Sequence, residues 1–313
     1  MNKLKIVYMG TPDFAVPCLD KLVQEAHEIL AVVTQPDRPK GRGRKLAPSP
    51  VKEAAIRHEL PVLQPEKIKT PEFVAELKAL NPDIIIVVAF GQILSSAILE
   101  LPKLGCINVH ASLLPAYRGA APIHWAVING EQVTGVTTMY MDVGLDTGDM
   151  ILKEEIPISA DQTTGELYEQ LNLLGAELLA KTIELIATGE APRTVQDNSQ
   201  ASYAKLLTRE TESINWQASA QQVHNLVRGL NPWPGAYCHH DGKNLKVWRT
   251  RVESAQTVAG KPGQVVVVGE HSFKVATVKG VVEILEVQPE SKKRMSAGEY
   301  VRGYGLNVGE ILG

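Results

Sequence analysis

Along roughly the first 190 residues, short apolar runs alternate with longer stretches in which apolar positions recur every three or four residues. The runs Lys5–Met9, Ile29–Thr34, Ile84–Ala89 and Cys106–His110 have the length and composition of strands. Ala15–Gln24 and Thr70–Leu80 have the period of amphipathic helices. This alternation predicts βαβ units built on a parallel sheet. Ile84-Ile85-Ile86-Val87-Val88, mostly β-branched and unbroken by polar residues, fits a strand buried on both faces. After His110 the pattern changes. Gly135–Met141 and Met150–Ile158 read as adjacent strands around a Gly- and Asp-rich loop, and a long helix follows from about Thr163 to Ala187. Leu167, Leu171, Leu174, Leu178 and Ile183 form its apolar stripe.

Ala191–Thr208 is polar and aperiodic and contains Pro192 and Asn198, which predicts a linker. Beyond a helix at about Ser219–Arg228 come five short strands: Ala236–His240, Leu245–Val252, Gly263–Val268, Ser272–Ala276 and Val281–Val287. Asp241-Gly242 and Lys279-Gly280 supply turns between them. Short strands at this density predict a small barrel, with an OB-type barrel as the leading form because it suits nucleic-acid binding. The expected class is therefore α/β. A doubly wound, Rossmann-like N-terminal domain spans residues 1–190, a linker 191–208, and a smaller C-terminal OB-like β-barrel domain 209–313.

Composition narrows the class. A chain of 313 residues suits two domains. Its longest strongly apolar run, Ile84 to Phe90, is far short of the ~20 residues of a membrane span. No charged leader with an apolar stretch precedes the first strand. Cys18, Cys106 and Cys238 make no metal-binding spacing, and their odd number argues against a disulfide framework. A reduced, cytoplasmic protein is expected. The net charge of −3 divides unevenly: from Arg209 onward 13 Lys and Arg face 10 Asp and Glu, a net of +3, leaving 19 against 25, or −6, before it. A mildly basic C-terminal part is compatible with nucleic acid and does not establish it.

The densest chemistry lies in Asn108-Val109-His110-Ala111-Ser112-Leu113-Leu114-Pro115-Ala116-Tyr117-Arg118-Gly119. It starts at the carboxyl end of a predicted central strand, where open α/β sheets place ligands. Asn108 and His110 are i and i+2 in extended chain, so both side chains project to one face. They supply an amide donor and a group that titrates near neutrality. Asp142-Val143-Gly144-Leu145-Asp146-Thr147-Gly148 follows, and in isolation reads as a connecting turn as readily as a site. Asp142 and Asp149 compete there with Asp146 as candidate acids.

These two segments together resemble the 10-formyltetrahydrofolate-dependent formyltransferase superfamily. The resemblance extends over essentially the whole chain to the branch that formylates methionyl-initiator tRNA. Gly10-Thr11-Pro12-Asp13-Phe14, Thr34-Gln35-Pro36-Asp37-Arg38-Pro39 and Asn231-Pro232-Trp233-Pro234-Gly235-Ala236 carry it further. The resemblance implies that Asn108, His110 and Asp146 are catalytic. It implies a folate pocket lined by Phe90, Gly91, Gln92, Ser112, Leu113, Leu114, Pro115, Thr138, Tyr140 and Asp142, the last three from the Thr138–Asp142 backbone. The formyl donor is expected to be 10-formyltetrahydrofolate, with no metal, and the protein is expected to be a monomer.

Arg38-Pro39-Lys40-Gly41-Arg42-Gly43-Arg44-Lys45 places five basic residues in eight, between prolines. By itself it reads as a mobile, solvated loop. The resemblance implies contact with the tRNA acceptor arm through Arg38, Lys40, Arg42, Arg44 and Lys45, with Arg42 the leading contact and Lys40 a departure from the small neutral residue expected there. Lys243, Lys246, Arg249, Arg251 and Lys292-Lys293-Arg294 are further candidates for phosphate contact. Tyr117-Arg118-Gly119 is expected to shape the site rim, with Arg118 beside an acidic partner. Relatives acting on sugar nucleotides or purine precursors share the Asn, His and Asp pattern, so the acceptor rests on the basic segment around Arg42 and on the whole-chain resemblance. A nicotinamide dehydrogenase is disfavoured: Gly10-Thr11-Pro12 is not a dinucleotide fingerprint, and no acidic residue closes the second strand.

Overall fold

The computed structural model describes residues 3–40, 45–253 and 260–313, the side chains of Lys40 and Lys45 excepted. Seven strands form one sheet in the order Met150–Pro157, Val133–Tyr140, Cys106–His110, Ile84–Val88, Lys5–Gly10, Glu28–Val33, Val62–Leu63. Lys5–Gly10 pairs in parallel with both Glu28–Val33 and Ile84–Val88, and Ile84–Val88 with Cys106–His110. Cys106–His110 then pairs antiparallel with Val133–Tyr140. Every residue of Ile84–Val88 is buried, as its unbroken β-branched run requires.

Helices flank this sheet, and their ends follow from local chemistry. Thr70 accepts from the Phe73 amide at the start of Pro71–Leu80, and Ser49 accepts from Lys52 at the start of Pro50–Arg57. The long helix is Thr164–Thr188, within a residue of expectation. Its Gly175 lies against Val109, where an added Cβ would stand 3.2 Å from the valine methyl. Its Thr182 Oγ1 shares a 2.8 Å hydrogen bond with Thr138. This helix therefore covers the face of the sheet that carries Val109 and Thr138. By the pleat, Asn108 and His110 point to the other face.

The chain forms two compact units: residues 1–119, 134–156 and 168–204, and residues 120–133, 157–167 and 205–313. In the second, six strands make an antiparallel sheet in the order Ala236–His240, Lys243–Glu253, Val281–Pro289, Phe273–Ala276, Val265–Val268, with Met295–Ser296 added beside Val281–Pro289. Residues 309–313 tie its two edges. Gly309 and Glu310 bond to Val265, while Gly313 exchanges both backbone bonds with His239. The core is apolar, with Phe273, Val275, Val282, Ile284 and Val287 fully buried. Asn231-Pro232-Trp233-Pro234-Gly235 turns against Trp248; a Cβ on Gly235 would stand 2.4 Å from its ring. All four tryptophans, Trp125, Trp216, Trp233 and Trp248, lie in this unit.

Three features differ from expectation. Residues 191–208 are not a free connector. Thr194 exchanges backbone bonds with Met150, Tyr203–Ala204 pairs with Arg118–Gly119, and Gln196 is 5% exposed. The basic segment is flanked by two short antiparallel strands, Arg38–Lys40 and Lys45–Ala47. Helices at Pro122–Ile128 and Ala297–Tyr304 lie outside the expected elements, although the second opens on a capping box between Ser296 and Glu299 and closes on Gly305.

Candidate active site

Asn108 and His110 stand at the end of their strand, buried at 9% and 6% exposure. Register sets Asn108 opposite Met139 and His110 opposite Thr137, so these four share a face. Thr137 fastens the next turn: its hydroxyl donates to Ser112 O at 2.7 Å and accepts from Leu114 N at 3.1 Å. Ser112 Oγ donates to Ala116 O at 2.7 Å, and Lys153 Nζ reaches Leu114 O at 2.6 Å. The Ser112–Pro115 turn is thus held by side chains at three points.

The Asp142–Gly148 loop brings Asp146 to this strand end. Asp142 closes the loop on itself, accepting from Gly144 N at 2.9 Å and Thr147 Oγ1 at 2.6 Å. A Cβ on Gly148 would fall 1.8 Å from Tyr140 O, so only glycine lets the loop return to the strand. Asp146 adopts φ +53°, which an aspartate tolerates better than a branched residue. One carboxylate oxygen, Oδ2, accepts from Gly119 N at 2.7 Å and faces His110 Nδ1 at 3.7 Å. The other, Oδ1, lies 3.5 Å from Asn108 Nδ2. Loop and strand, nearly forty residues apart in sequence, therefore meet at three side chains.

The tautomer of His110 follows from its neighbours. Nε2 lies 2.9 Å from Tyr117 O, and a carbonyl can only accept, so Nε2 carries a proton. Nδ1 is consequently the nitrogen presented to Asp146. Its 3.7 Å separation is longer than a hydrogen bond, and leaves the pair open to a third group.

The other expected residues divide. Leu114 is fully buried against Met139 and Met150, and Phe90 sits in the sheet core at 2% exposure, so neither side chain is presented outward. Phe90 O accepts from Thr11 Oγ1 at 2.8 Å, binding Gly10-Thr11-Pro12 to the Phe90-Gly91-Gln92 turn, where Gly91 has φ +87°. Gln92 uses its amide on Ile68 N and Pro65 O. Leu113 and Pro115 are half-buried. Thr138 and Tyr140 lie on the face opposite Asn108: Thr138 meets Thr182, and Tyr140 stacks under Arg193 with 3.6 Å from guanidinium to ring centre. Only their backbone remains for the pocket. Asp149 pairs with Arg193 at 3.5 Å.

Arg118 corrects an expectation. It is 2% exposed, and among the described residues its guanidinium meets no carboxylate at hydrogen-bond distance; it meets Gln196 Oε1, at 3.1 Å from Nε and 2.8 Å from Nη2, and Asn198 Oδ1 at 2.9 Å. Gln196 also donates to Asp146 O and Gly148 O, both at 2.8 Å. No periodicity or motif in the 191–208 segment signalled this residue.

Of the basic segment, Arg42 and Arg44 lie outside the described residues, as do the side chains of Lys40 and Lys45. Arg38 pairs with Glu66 at 3.1 Å. Asp37 anchors the base of the paired strands, accepting from Lys52 Nζ at 2.7 Å and Gln64 Nε2 at 2.8 Å, and these bonds hold its carboxyl below the usual range. In the second unit Lys246 caps Pro234 O, Arg251 pairs with Glu283, and Arg294 stacks on Trp248. Burial pushes the thiols of Cys18, Cys106 and Cys238 up to about 12, far from thiolate chemistry. Among the described residues no three His, Cys, Asp or Glu side chains gather to hold a metal ion, and no helix is long and apolar enough to cross a membrane.

The formyl transferase family model matches residues 3–183, and the model of the formyl transferase C-terminal domain matches residues 206–305. The methionyl-tRNA formyltransferase of Clostridioides difficile is 54% identical over 310 residues, covering 99% of this chain and 100% of the relative. Among solved structures, an N-formyltransferase from Helicobacter canadensis, in complex with folinic acid and dTDP-3-aminofucose, superposes with TM-score 0.68 at 22% identity, over 91% of this chain and 99% of that one. HypX from Aquifex aeolicus, in complex with tetrahydrofolic acid, superposes with TM-score 0.66 at 16% identity, over 98% of this chain and 48% of that one.

Proposed function

The chain belongs to the formyl transferase family, and we propose that Asn108, His110 and Asp146 carry its reaction on methionyl-tRNA. The enzyme moves the formyl group of 10-formyltetrahydrofolate to the amino group of the methionyl ester. The observation that carries the residue assignment is the meeting of the Asp142–Gly148 loop with the end of the Cys106–His110 strand.

The chemistry suits these groups. An α-amino group titrates near pH ~8, so a useful fraction is neutral at pH 7 without a strong base. Its nitrogen attacks the formyl carbon, the carbonyl oxygen takes the charge, and the bond from carbon to the folate N10 then breaks. Asn108 Nδ2 is an uncharged donor for that oxyanion, a contribution worth roughly 3–4 kcal/mol of barrier. His110, its Nε2 proton committed to Tyr117 O, works through Nδ1. Asp146 orients that nitrogen and accepts the proton released by the amine. N10 must receive a proton as it leaves, and the His110–Asp146 pair returns the one taken from the amine.

For the acceptor, the first unit serves catalysis and the antiparallel unit contacts the tRNA. The initiator form is the substrate and the basic segment around Arg42 is its principal docking element. The Asp37–Lys52 pair at the base of the short strands that flank this segment supports this. The enzyme acts as a monomer in the cytoplasm, beside translation. Incubation with 10-formyltetrahydrofolate and either methionyl-initiator tRNA or an amino-sugar nucleotide tests the acceptor; preferred formylation of the sugar would refute it. Arg42→Ala should raise KM for the charged tRNA, increasingly so with salt, and leave KM for the folate unchanged. Equal effects on both substrates would count against the docking role.

A further inference from the structure

Asp146 is gripped at both ends from one dipeptide. Gly119 N holds its carboxylate at 2.7 Å, while the Arg118 side chain holds Gln196, whose amide holds the Asp146 carbonyl at 2.8 Å. The orientation of the Gln196 amide is settled by its partners. Guanidinium N–H groups can face only its oxygen, and the carbonyls of Asp146 and Gly148 can face only its NH₂. Both lone pairs and both protons are used, at 5% exposure. The guanidinium itself is buried with two neutral amides as its hydrogen-bonding partners. Such a saturated polar network is costly to disturb and fixes geometry closely. Arg118–Gly119 is in turn paired with Tyr203–Ala204, and Arg118 N donates to Ser202 O at 2.8 Å. The 194–204 segment thus closes a ring around the acid of the site.

We propose that Gln196 is a positioning residue for formyl transfer: its amide NH₂ fixes the φ +53° backbone of Asp146, and Arg118 locks that amide in place. Gln196 touches neither substrate nor the reacting atoms and acts through Asp146. This inference rests on the assignment of Asp146 above. It predicts loss of turnover without loss of substrate binding, because a carboxylate displaced by a fraction of an ångström no longer meets the reacting atoms.

The test uses Gln196→Glu and Gln196→Met in the full chain, assayed with methionyl-initiator tRNA and 10-formyltetrahydrofolate. Glutamate keeps the contacts to Arg118 but has no proton for the two carbonyls; methionine keeps the volume and loses both contacts. Both variants should lower kcat about 10- to 100-fold, with KM for each substrate within about twofold of wild type. Asp146→Asn is run in parallel, and Asp146→Asn with Gln196→Glu should be no slower than Asp146→Asn alone, within about twofold. Wild-type turnover of Gln196→Glu beside a slow Asp146→Asn overturns this inference alone. Wild-type turnover of Asp146→Asn overturns the catalytic assignment and this inference with it. Strictly additive losses in the double variant, or a melting temperature so lowered that both Gln196 variants are unfolded at assay temperature, show a purely structural role and also overturn it.

Discussion

His110 in the first unit and His240 in the second are each 6% exposed, and each has a carboxylate beside it. Their surroundings differ. His240 is closed on both nitrogens, with Tyr300 OH at 2.7 Å and Glu310 Oε2 at 2.8 Å. That pair ties the 309–313 segment to the sheet, and the bond to His240 holds the Glu310 carboxyl below its usual value. His110 is closed on Nε2 only, while Nδ1 and Asp146 face each other at 3.7 Å with Asn108 alongside. Burial and residue type are the same, so neither distinguishes structure from chemistry. What separates the pairs is whether every polar atom is already satisfied. The effort of holding Asp146 has moved one layer outward, to Gly119 and Gln196.

Breaking the open pair should have the largest effect. Asn108→Ala and Asp146→Ala should each lower kcat by roughly 10²–10³ while folate binding, followed by titration, survives. Near-wild-type turnover in either would sink the assignment. Breaking the closed pair should do the reverse. His240→Ala should leave kcat unchanged and lower the unfolding free energy by about 1–3 kcal/mol through the unpaired groups it leaves. A loss of turnover with unchanged stability would show that the comparison has been drawn the wrong way round.

The smallest effect concerns pH. Burial holds His124 and His224, both in the second unit, below the ordinary imidazole value of 6.5. The unfolded chain therefore binds more protons than the folded one as pH falls below 6.5. The stability these neutral rings contribute is present above 6.5 and is lost as pH drops through their lower folded values. Because all four tryptophans lie in the second unit, denaturant unfolding followed by tryptophan fluorescence reads that unit directly. Its midpoint should fall between pH 6.5 and 5, and His224→Gln should flatten the slope. An unchanged slope in that variant would remove His224 as its source.

Much of this molecule was legible along the chain. The strand Cys106–His110 lies where its residues predict, and Asn108 and His110 share a face because a strand repeats every two residues. Ala236–His240 and the long helix are recovered within a residue for the same reason: their periods are local. The 191–208 segment was misread because its order comes from Met150, Arg118 and Asp146, contacts without periodicity. Thr138 and Tyr140 are expected to line the pocket through their backbone, and the register of Val133–Tyr140 turns their side chains to the other face. A one-residue change of register would have reversed that, and no composition reveals register.

What the sequence by itself determined is the alternation of elements, the strand-end placement of Asn108 and His110, and the Gly-bounded loop that carries Asp146. Each depends on neighbours within a few residues. Only the tertiary structure decided that this loop crosses nearly forty residues of chain to reach that strand end, that Nδ1 is the nitrogen His110 presents to Asp146, and that Arg118 spends its charge on Gln196 rather than on an acid. Those are questions of which polar groups are left unsatisfied once the chain is packed. Hydrogen bonding in a buried site is settled by all its partners together.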